Sequence, residues 1–319
     1  MWFAFLGFVA AMMALDLCVV QRRRHAVGMR EAALWSMVWV GLALCFNVIV
    51  LAWQGREKAL EFLTGYLIEE SLSVDNLFVF LVIFRYFSLP LDQYRHVLTW
   101  GILGAIILRG LMIGAGVALI GMFQWVLYVF GVFLVYTAVR LAVQEEERFD
   151  PDRNILVRAA RKVLPVTPRY ERGLYFVRNA SGRVAMTPQF LVLLTVCTAD
   201  VVFATDSIPA IFAVTRDPFI IFTSNMLAVM GLRSIFFLLA AVMSRFRYLR
   251  QGLALVLGFI GLKMLAEPWI EVPVLVSLAV VIAIIAGSFV ISMAEHGNKT
   301  GKHRFHSAGR GAGKSRMLC

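Results

Sequence analysis

The stretch EESLSVDN, residues 69–76, lies inside one long apolar segment, and DVVFATDS, residues 200–207, lies inside another. In each stretch a carboxylate is followed six residues later by an aspartate, and then by a small polar residue. A charged side chain in the middle of a bilayer costs about 2.5–3.5 kcal/mol on insertion scales. Acidic residues that recur in this way within apolar segments therefore indicate a pathway for cations.

The composition of the chain is that of an integral membrane protein. Of the 319 residues, 60% are hydrophobic and 16% are charged, whereas soluble domains are about 45–50% apolar and about 25% charged. The net charge of +11 does not indicate nucleic-acid binding, because the basic residues cluster between apolar segments, as orientation signals do. The four cysteines have no short paired spacing, so neither a zinc site nor a disulfide framework is expected.

Nine apolar segments are predicted to cross the membrane, each near the ~20 residues that a bilayer core requires. The loops after the second, fourth, sixth and eighth spans hold only three of the 31 Lys and Arg residues, and most of the others lie in the remaining loops and the tail. The positive-inside rule therefore predicts an outer N-terminus and a cytoplasmic C-terminus. The predicted spans are 1–20, 34–53, 62–84, 97–120, 124–143, 189–214, 219–243, 251–267 and 274–293.

Spans three to eight are interpreted as two copies of a three-helix unit. Besides the acidic stretches, Thr99 and Arg109 of the fourth span recur as Thr223 and Arg233 of the seventh, both at an offset of 124 residues. Each unit has an odd number of spans, so the two copies would insert in opposite orientations. Inverted repeats of this kind place the substrate site near the membrane midplane, between the halves.

The predicted fold is thus an all-α polytopic membrane protein of about nine transmembrane helices with an inverted repeat. The longest loop is expected to be a basic cytoplasmic linker with one short amphipathic helix, through which a membrane or cytoplasmic protein partner could bind. The basic tail is expected to be disordered. The predicted segments are two N-terminal helices (1–61), the first repeat (62–143), the linker (144–188), the second repeat (189–267), a C-terminal helix (268–295) and the tail (296–319).

One six-residue spacing cannot close two carboxylates around a single ion. On a continuous helix, Glu69 and Asp75 would point about 120° apart and lie about 9 Å apart along the axis. The other copy must supply the missing ligands, or a helix must unwind. Pro209 favours unwinding beside Thr205, because proline removes a helical hydrogen bond and crowds the preceding turn.

The expected ligands are oxygen atoms, since no histidine lies in a predicted span. Carboxylate, amide, hydroxyl and carbonyl oxygens suit Mn²⁺, Mg²⁺, Ca²⁺ or protons better than Zn²⁺ or Cu⁺. Arg109 and Arg233 lie too deep to snorkel, so they are expected to pair with carboxylates, and Glu70 could belong to the site or to an outer vestibule. The expected metal ligands are Glu69, Asp75, Asn76, Asp200, Asp206 and Asn225. No catalytic residue is expected, and no cofactor besides the transported ion.

Two stretches resemble the TerC family of integral membrane proteins and, within it, the Alx-like manganese exporters. They are FLTGYLIEESLSVDNLFVFLVIFRYF (62–87) and TADVVFATDSIPAIFAVTRDPFIIFTSNMLAVMGLRSIFFLLA (198–240). The resemblance extends over nearly the whole chain apart from the basic tail. It implies export of Mn²⁺ across the bacterial inner membrane, and the family takes its name from tellurium-resistance gene clusters.

The resemblance also assigns the ion route to particular acidic residues. Members of the family typically carry a glutamate three residues before the first aspartate of the second motif, where this chain has Cys197. One carboxylate fewer affects the charge balance of the site. The acids that the resemblance implies are Glu69, Asp75, Asp200 and Asp206.

The leading hypothesis is a divalent-cation exporter, most simply for Mn²⁺, coupled to proton entry. One alternative is a tellurium-resistance-associated protein that acts as a docking or assembly partner through the linker. Another is an intramembrane aspartyl protease in which Asp75 and Asp206 share a proton. The residues before them, Val74 and Thr205, differ from the motifs that such proteases carry.

Overall fold

A computed structural model describes most of the chain. The helices and strands are α1 Trp2–Leu15, α2 Met29–Gln54, α3 Arg56–Tyr86, α4 Tyr94–Met122, α5 Val126–Val143, α6 Ile155–Val163, β1 Phe176–Arg178, β2 Val184–Met186, α7 Pro188–Phe212, α8 Pro218–Val242, α9 Leu249–Ala266 and α10 Val274–Ser292. The described residues are 2–15, 29–123, 125–143, 155–167, 170, 173–178, 184–242, 249–270, 272–288 and 290–292. The basic tail therefore lies outside the described residues.

The fold is an all-helical, multi-pass membrane architecture. Within the described residues, six helices are long and apolar enough to cross a bilayer, namely α2, α4, α5, α7, α8 and α10. Helix α3 is 31 residues long, but its sequence contains five carboxylates, and α1 and α9 offer shorter apolar stretches. The all-α polytopic class is confirmed, while the count of nine spans and the inverted repeat stay predictions.

The helices alternate in direction and pack around two central pairs, α3 with α8 and α4 with α7. Helix α3 packs against α8 and α7, and α4 packs against α7 and α8. Helix α2 covers α3 and α8 on one side, while α5 packs against α9 on the other. Gly55 allows the sharp reversal between α2 and α3, because its φ of 90° is strained for any residue with a Cβ. Helices α3, α4, α7 and α8 therefore surround the centre of the bundle.

Helices α5 and α9 approach each other at the level of their backbones. A Cβ added to Gly261 would lie 2.9 Å from the carbonyl oxygen of Gly131 and 2.9 Å from the backbone nitrogen of Val135. Small residues at such crossings let membrane helices gain van der Waals contact where no hydrophobic effect drives them together. The third helices of the two proposed copies are thus in direct contact.

The linker folds in part against one end of the bundle. Helix α6 packs against α7, which confirms the short helix predicted there. Strands β1 and β2 form an antiparallel hairpin in which Val177 pairs with Ala185, and this hairpin was not predicted. We call this end of the bundle the linker end, where α3 and α5 finish and α4 and α7 begin, and the opposite end the far end.

The expected unwinding at Pro209 is wrong: α7 stays helical from Pro188 to Phe212. Pro209 lies in the last turn of the helix, so its missing N–H removes only one terminal hydrogen bond. Its neighbours Ile208 and Ala210 are buried in the apolar core, and this packing holds the turn in place.

Candidate functional site

A fully buried arginine joins two carboxylates that belong to different helices. Arg109 of α4 donates from Nη2 to Asp200 Oδ1 at 2.8 Å and from Nε to Asp200 Oδ2 at 3.2 Å. Its Nη1 pairs with Glu69 Oε1. Arg109 and Glu69 are 0% exposed and Asp200 is 2% exposed. Since each residue lies near the middle of its helix, this triad occupies the centre of the bundle.

The carboxylate of Glu69 is held by side chains from two further positions. Asn225 of α8 donates from Nδ2 to Oε2 at 2.7 Å, and Ser73 of α3 donates to Oε1 at 3.3 Å. Ser73 lies one turn beyond Glu69 on α3, so the spacing of the first acidic stretch builds this contact directly. Hydrogen bonds therefore reach both oxygens of Glu69, which a carboxylate in an apolar interior requires.

Along the helix faces that carry the triad, several buried polar atoms lack a hydrogen-bond partner among the described residues. They are Asn76 Nδ2, Ser207 Oγ and Asn225 Oδ1, and all three residues are nearly inaccessible to solvent. Asn76 and Ser207 each follow a triad carboxylate by seven residues, which returns them to the same face of α3 or α7. Orphaned polar atoms in a buried site indicate that it accommodates water or a ligand.

The triad has a net charge of −1, from two carboxylates and one guanidinium. Removing one partner from a buried ion pair is costly, because the remaining charge stays uncompensated in a low-dielectric interior. The guanidinium thus occupies the place where another cation would neutralise Glu69 and Asp200. The sequence-based expectation that Arg109 pairs with carboxylates is confirmed.

The other expected ligands are distributed differently. Asp206 is half-buried and accepts a hydrogen bond from Thr137 of α5 at 3.1 Å, so it faces α5. Asp75 lies within α3, and the position of its side chain falls outside the described residues. The described residues contain no group of three or more His, Cys, Asp or Glu side chains placed to hold a metal. Metal binding by the expected ligands therefore stays a prediction.

The second deep arginine lies close to the triad on its linker side. Arg233 of α8 donates from Nη1 to Thr99 Oγ1 of α4 at 3.4 Å. A cavity of about 10 Å³ separates it from Asp200, with Leu77, Gly101 and other residues of α3, α4, α7 and α8 in its wall. That volume is close to the minimum that holds one water molecule. A small void with mainly apolar walls, bordered by Asp200 and Arg233, thus lies between the triad and the linker end.

Cys197 fills the space between α7 and α4. Its Sγ would lie 3.0 Å from a Cβ at Gly104, so the thiol occupies the room that the glycine leaves. This contact indicates that Cys197 packs α7 against α4.

A separate polar cluster lies at the far end of α3. Glu61 is buried and accepts hydrogen bonds from Lys58 Nζ at 2.7 Å and from Thr215 Oγ1. Asp217 Oδ1 accepts a hydrogen bond from the backbone N–H of Phe219 at 2.9 Å and so caps the start of α8. The sequence patterns did not predict this cluster. Its signal is the acidic and basic residues that flank spans three and seven.

Aromatic residues of the linker cover the other end of the bundle. The hydroxyl of Tyr170 donates to the carbonyl oxygen of Phe87, just beyond the end of α3. Burial raises the pKa of Tyr170 to about 12, so this hydroxyl remains protonated at neutral pH. The ring of Tyr175 stacks on His96 of α4 with a centroid distance of 5.3 Å. The linker therefore closes the linker end over α3 and α4.

Comparison with known proteins places these features in a family. The family described as "Integral membrane protein TerC family" matches residues 54–300. A membrane protein of Myxococcus xanthus is 48% identical over 293 residues, which cover 92% of each chain. Alx of Escherichia coli K12, whose name describes a candidate membrane-bound redox modulator, is 48% identical over 301 residues, covering 92% of this chain and 94% of Alx. A membrane protein of Rickettsia felis is 39% identical over 293 residues, covering 92% and 97% of the two chains. No solved structure matches this chain.

Proposed function

Because this chain belongs to the TerC family of integral membrane proteins, we propose that it is a transporter that exports a divalent cation, most simply Mn²⁺, in exchange for protons. The observation that carries the proposal is the buried triad of Glu69, Arg109 and Asp200. Two carboxylates near the middle of a membrane bundle are costly to keep unless they serve a cargo. Arg109 compensates them while no cargo is bound.

The charge of the site favours a divalent ion. When Arg109 leaves, Glu69 and Asp200 together carry a charge of −2, which one divalent cation or two protons neutralise. A monovalent metal ion would leave one buried charge uncompensated. The side-chain oxygen of Asn225, which has no described hydrogen-bond partner, adds a neutral oxygen ligand of the kind that Mn²⁺ accepts.

The packing of the helices supports two inverted copies, α3–α5 and α7–α9. Exchange of the copies converts the α3–α8 contact into the α7–α4 contact, and both are present. The α5–α9 contact maps onto itself, as a contact at the axis of an inverted repeat does. In this proposal the basic linker end faces the cytoplasm of a bacterial inner membrane, and nine helices span the bilayer.

Transport by inverted membrane vesicles tests the proposal. Vesicles with the wild-type protein should take up Mn²⁺ when their lumen is acidic, and Asp200→Asn or Glu69→Gln should reduce uptake by about tenfold or more, since one buried ligand charge is lost. Glu267→Gln is the matched control, because Glu267 is exposed and pairs with Arg216 at the protein surface. Uptake that survives both triad substitutions would show that the triad does not carry the cargo.

The name of the Alx relatives provides a second candidate, a role in the redox state of the membrane. The thiols that the structure describes are Cys45, which is exposed, and Cys197, which is beside Gly104. If the protein acts on the redox state of the membrane through these thiols, the double variant Cys45→Ser, Cys197→Ser should lose its effect on that redox state, and Asp200→Asn should keep it. Cation transport predicts the reverse.

A further inference from the structure

The two deep arginines occupy unequal positions in the two copies. Arg109 lies between Glu69 and Asp200, whereas Arg233 lies outside the triad and contacts Thr99. Arg109 and Arg233 are related by an offset of 124 residues, and Thr99 and Thr223 are related by the same offset. The Arg233–Thr99 pair and the Arg109–Thr223 pair are therefore equivalent under exchange of the two copies. The structure contains the hydrogen bond of the Arg233–Thr99 pair.

The threonine of the other pair is engaged with its own helix. Thr223 Oγ1 donates to the carbonyl oxygen of Phe219 at 2.8 Å, as Thr99 Oγ1 donates to the carbonyl oxygen of Arg95 at 2.8 Å. With its proton donated in this way, each hydroxyl keeps lone pairs that can accept from a guanidinium. Thr223 is thus prepared to receive Arg109 in the way that Thr99 receives Arg233.

The cavity beside the triad lies between the second arginine and one of the two carboxylates, Asp200. Arg233 and Asp200 both border it, so the guanidinium faces Asp200 across a single void. Arg109 approaches the same carboxylates from α4. Both guanidinium groups cannot compensate the pair at once, because like charges at contact distance repel strongly in a low dielectric.

Resting on the proposed transport function, we propose that Arg109 and Arg233 are alternating tethered cations that compensate Glu69 and Asp200 in turn. In the described state Arg109 occupies the site, Arg233 is held on Thr99, and cargo reaches Asp200 through the cavity on the linker side. In the opposite state Arg233 occupies the site and Arg109 is held on Thr223. The path to the carboxylates then opens toward the far end.

This exchange keeps the buried carboxylates compensated in both empty states. A transporter with inverted repeats reaches its second state by exchanging the conformations of the two copies. When Arg109 occupies the site, it blocks access from the far end, and the withdrawn Arg233 leaves access from the linker end open. When Arg233 occupies the site, access is reversed. The two arginines are therefore positioning residues that set which side of the membrane the site faces.

Labelling of two equivalent cysteines tests the exchange. Ile102→Cys places a thiol in the wall of the linker-side cavity, and Met226→Cys, which follows Ile102 by 124 residues, places one at the equivalent buried position of the second copy. Each is made in a background that lacks the native cysteines and whose expression and Mn²⁺ uptake, at whatever level, equal those of the wild type. Membrane-impermeant maleimide is added from either side of the membrane. The native cysteines to be replaced are Cys18, Cys45, Cys197 and Cys319.

The expected effects of the two arginine substitutions are opposite. Arg233→Gln should raise labelling of Ile102→Cys from the linker side and lower labelling of Met226→Cys from the far side, each by about tenfold, because one of two states loses its compensating charge. Arg109→Gln should lower the first and raise the second. Arg109→Lys and Arg233→Lys keep a tethered cation but not the planar guanidinium, so each should shift labelling in the same direction as its glutamine variant and by less.

Labelling that changes in the same direction in both variants, or stays unchanged in Arg233→Gln, overturns the exchange. If Arg109→Gln fails to enter the membrane, the Arg233→Gln result decides alone, since the triad is intact in that variant. Mn²⁺ uptake is measured in parallel. If the two arginine variants change labelling in opposite directions but the wild type takes up no Mn²⁺, the exchange is supported and Mn²⁺ is rejected as the cargo. If the wild type takes up Mn²⁺ but both variants change labelling in the same direction, only the exchange is rejected.

Discussion

Arg109 binds Asp200 with two nitrogen atoms, at 2.8 Å and 3.2 Å, so one planar guanidinium matches both oxygens of a carboxylate on another helix. Bidentate pairs of this kind are strong and fix orientation as well as distance. The same guanidinium also reaches Glu69 of a third helix. Helices α3, α4 and α7 are therefore held in register by one side chain at the centre of the bundle.

Replacing Arg109 should destabilise the protein. Arg109→Gln leaves Glu69 and Asp200 buried without their cation, which typically costs about 3–5 kcal/mol of the free energy of unfolding. Thermal unfolding in detergent, compared with that of the wild type, measures this loss. The double variant Arg109→Gln, Asp200→Asn should be more stable than Arg109→Gln, because it removes one of the two uncompensated carboxylates, and equal stability would contradict the coupling.

The side-chain amide of Asn225 should contribute more to the free energy of unfolding than the hydroxyl of its neighbour Ser224. Asn225→Ala removes the hydrogen bond to Glu69 Oε2 and leaves a buried charged oxygen unsatisfied, which should cost about 1–3 kcal/mol of unfolding free energy. Ser224→Ala is the matched control, because its hydroxyl donates only to backbone carbonyls of its own helix, such as that of Ile220 at 2.8 Å. Equal effects of the two substitutions would show that Asn225 does not hold Glu69.

The sequence predicts the ion pair of Arg109 but not the places of the remaining acids. Arg109 could be assigned because a guanidinium in mid-span requires a carboxylate, and Glu69 and Asp200 are at similar depth. Asp206 lies about 120° round α7 from Asp200, so helical geometry already separates the two. Which neighbour Asp206 then faces depends on the placement of α5, and the spacing along α7 carries no information about it.

Two other differences have local causes. The helix continues through Pro209 because a proline in the last turn removes only one hydrogen bond near the helix end. Burial of the surrounding residues outweighs the cost of that lost hydrogen bond. The hairpin of β1 and β2 is too short for its alternation to stand out from a loop. Its signal is the Asn-Ala-Ser-Gly run of residues 179–182 between two apolar stretches, a composition typical of turns.

The contact between α5 and α9 should be sensitive to one added methyl group. Gly261→Ala would place a Cβ 2.9 Å from the carbonyl oxygen of Gly131, and backbone atoms cannot yield as a side chain does. We expect a loss of about 1–3 kcal/mol in unfolding free energy, as for other overpacked interiors. Gly114→Ala in α4 is the control, because nothing lies within 4 Å of its Cβ and alanine is favoured over glycine in helices by about 0.5–1 kcal/mol. A Gly261→Ala variant as stable as Gly114→Ala would contradict the close crossing.

The hydroxyl of Tyr170 should stabilise the linker over a wide but bounded range of pH. Its hydrogen bond to the carbonyl of Phe87 should contribute about 0.5–1.5 kcal/mol, so Tyr170→Phe should be less stable than the wild type by that amount at pH 7. The folded pKa, about 12, is above the ordinary value of 10.0, so the folded protein retains a proton that the unfolded chain loses. The stability gained from Tyr170 is therefore complete below about pH 10 and is lost as the pH rises through 12.

Unfolding of the wild type and of Tyr170→Phe from pH 7 to pH 11 measures this dependence. The difference between the two should be constant up to about pH 10 and then decrease, because ionisation of the unfolded chain favours unfolding only where the phenol is present. Tyr128→Phe is the control for loss of a phenolic hydroxyl, since Tyr128 is exposed on α5. A difference that falls already between pH 7 and pH 9 would mean that the Tyr170 hydroxyl is not buried against the end of α3.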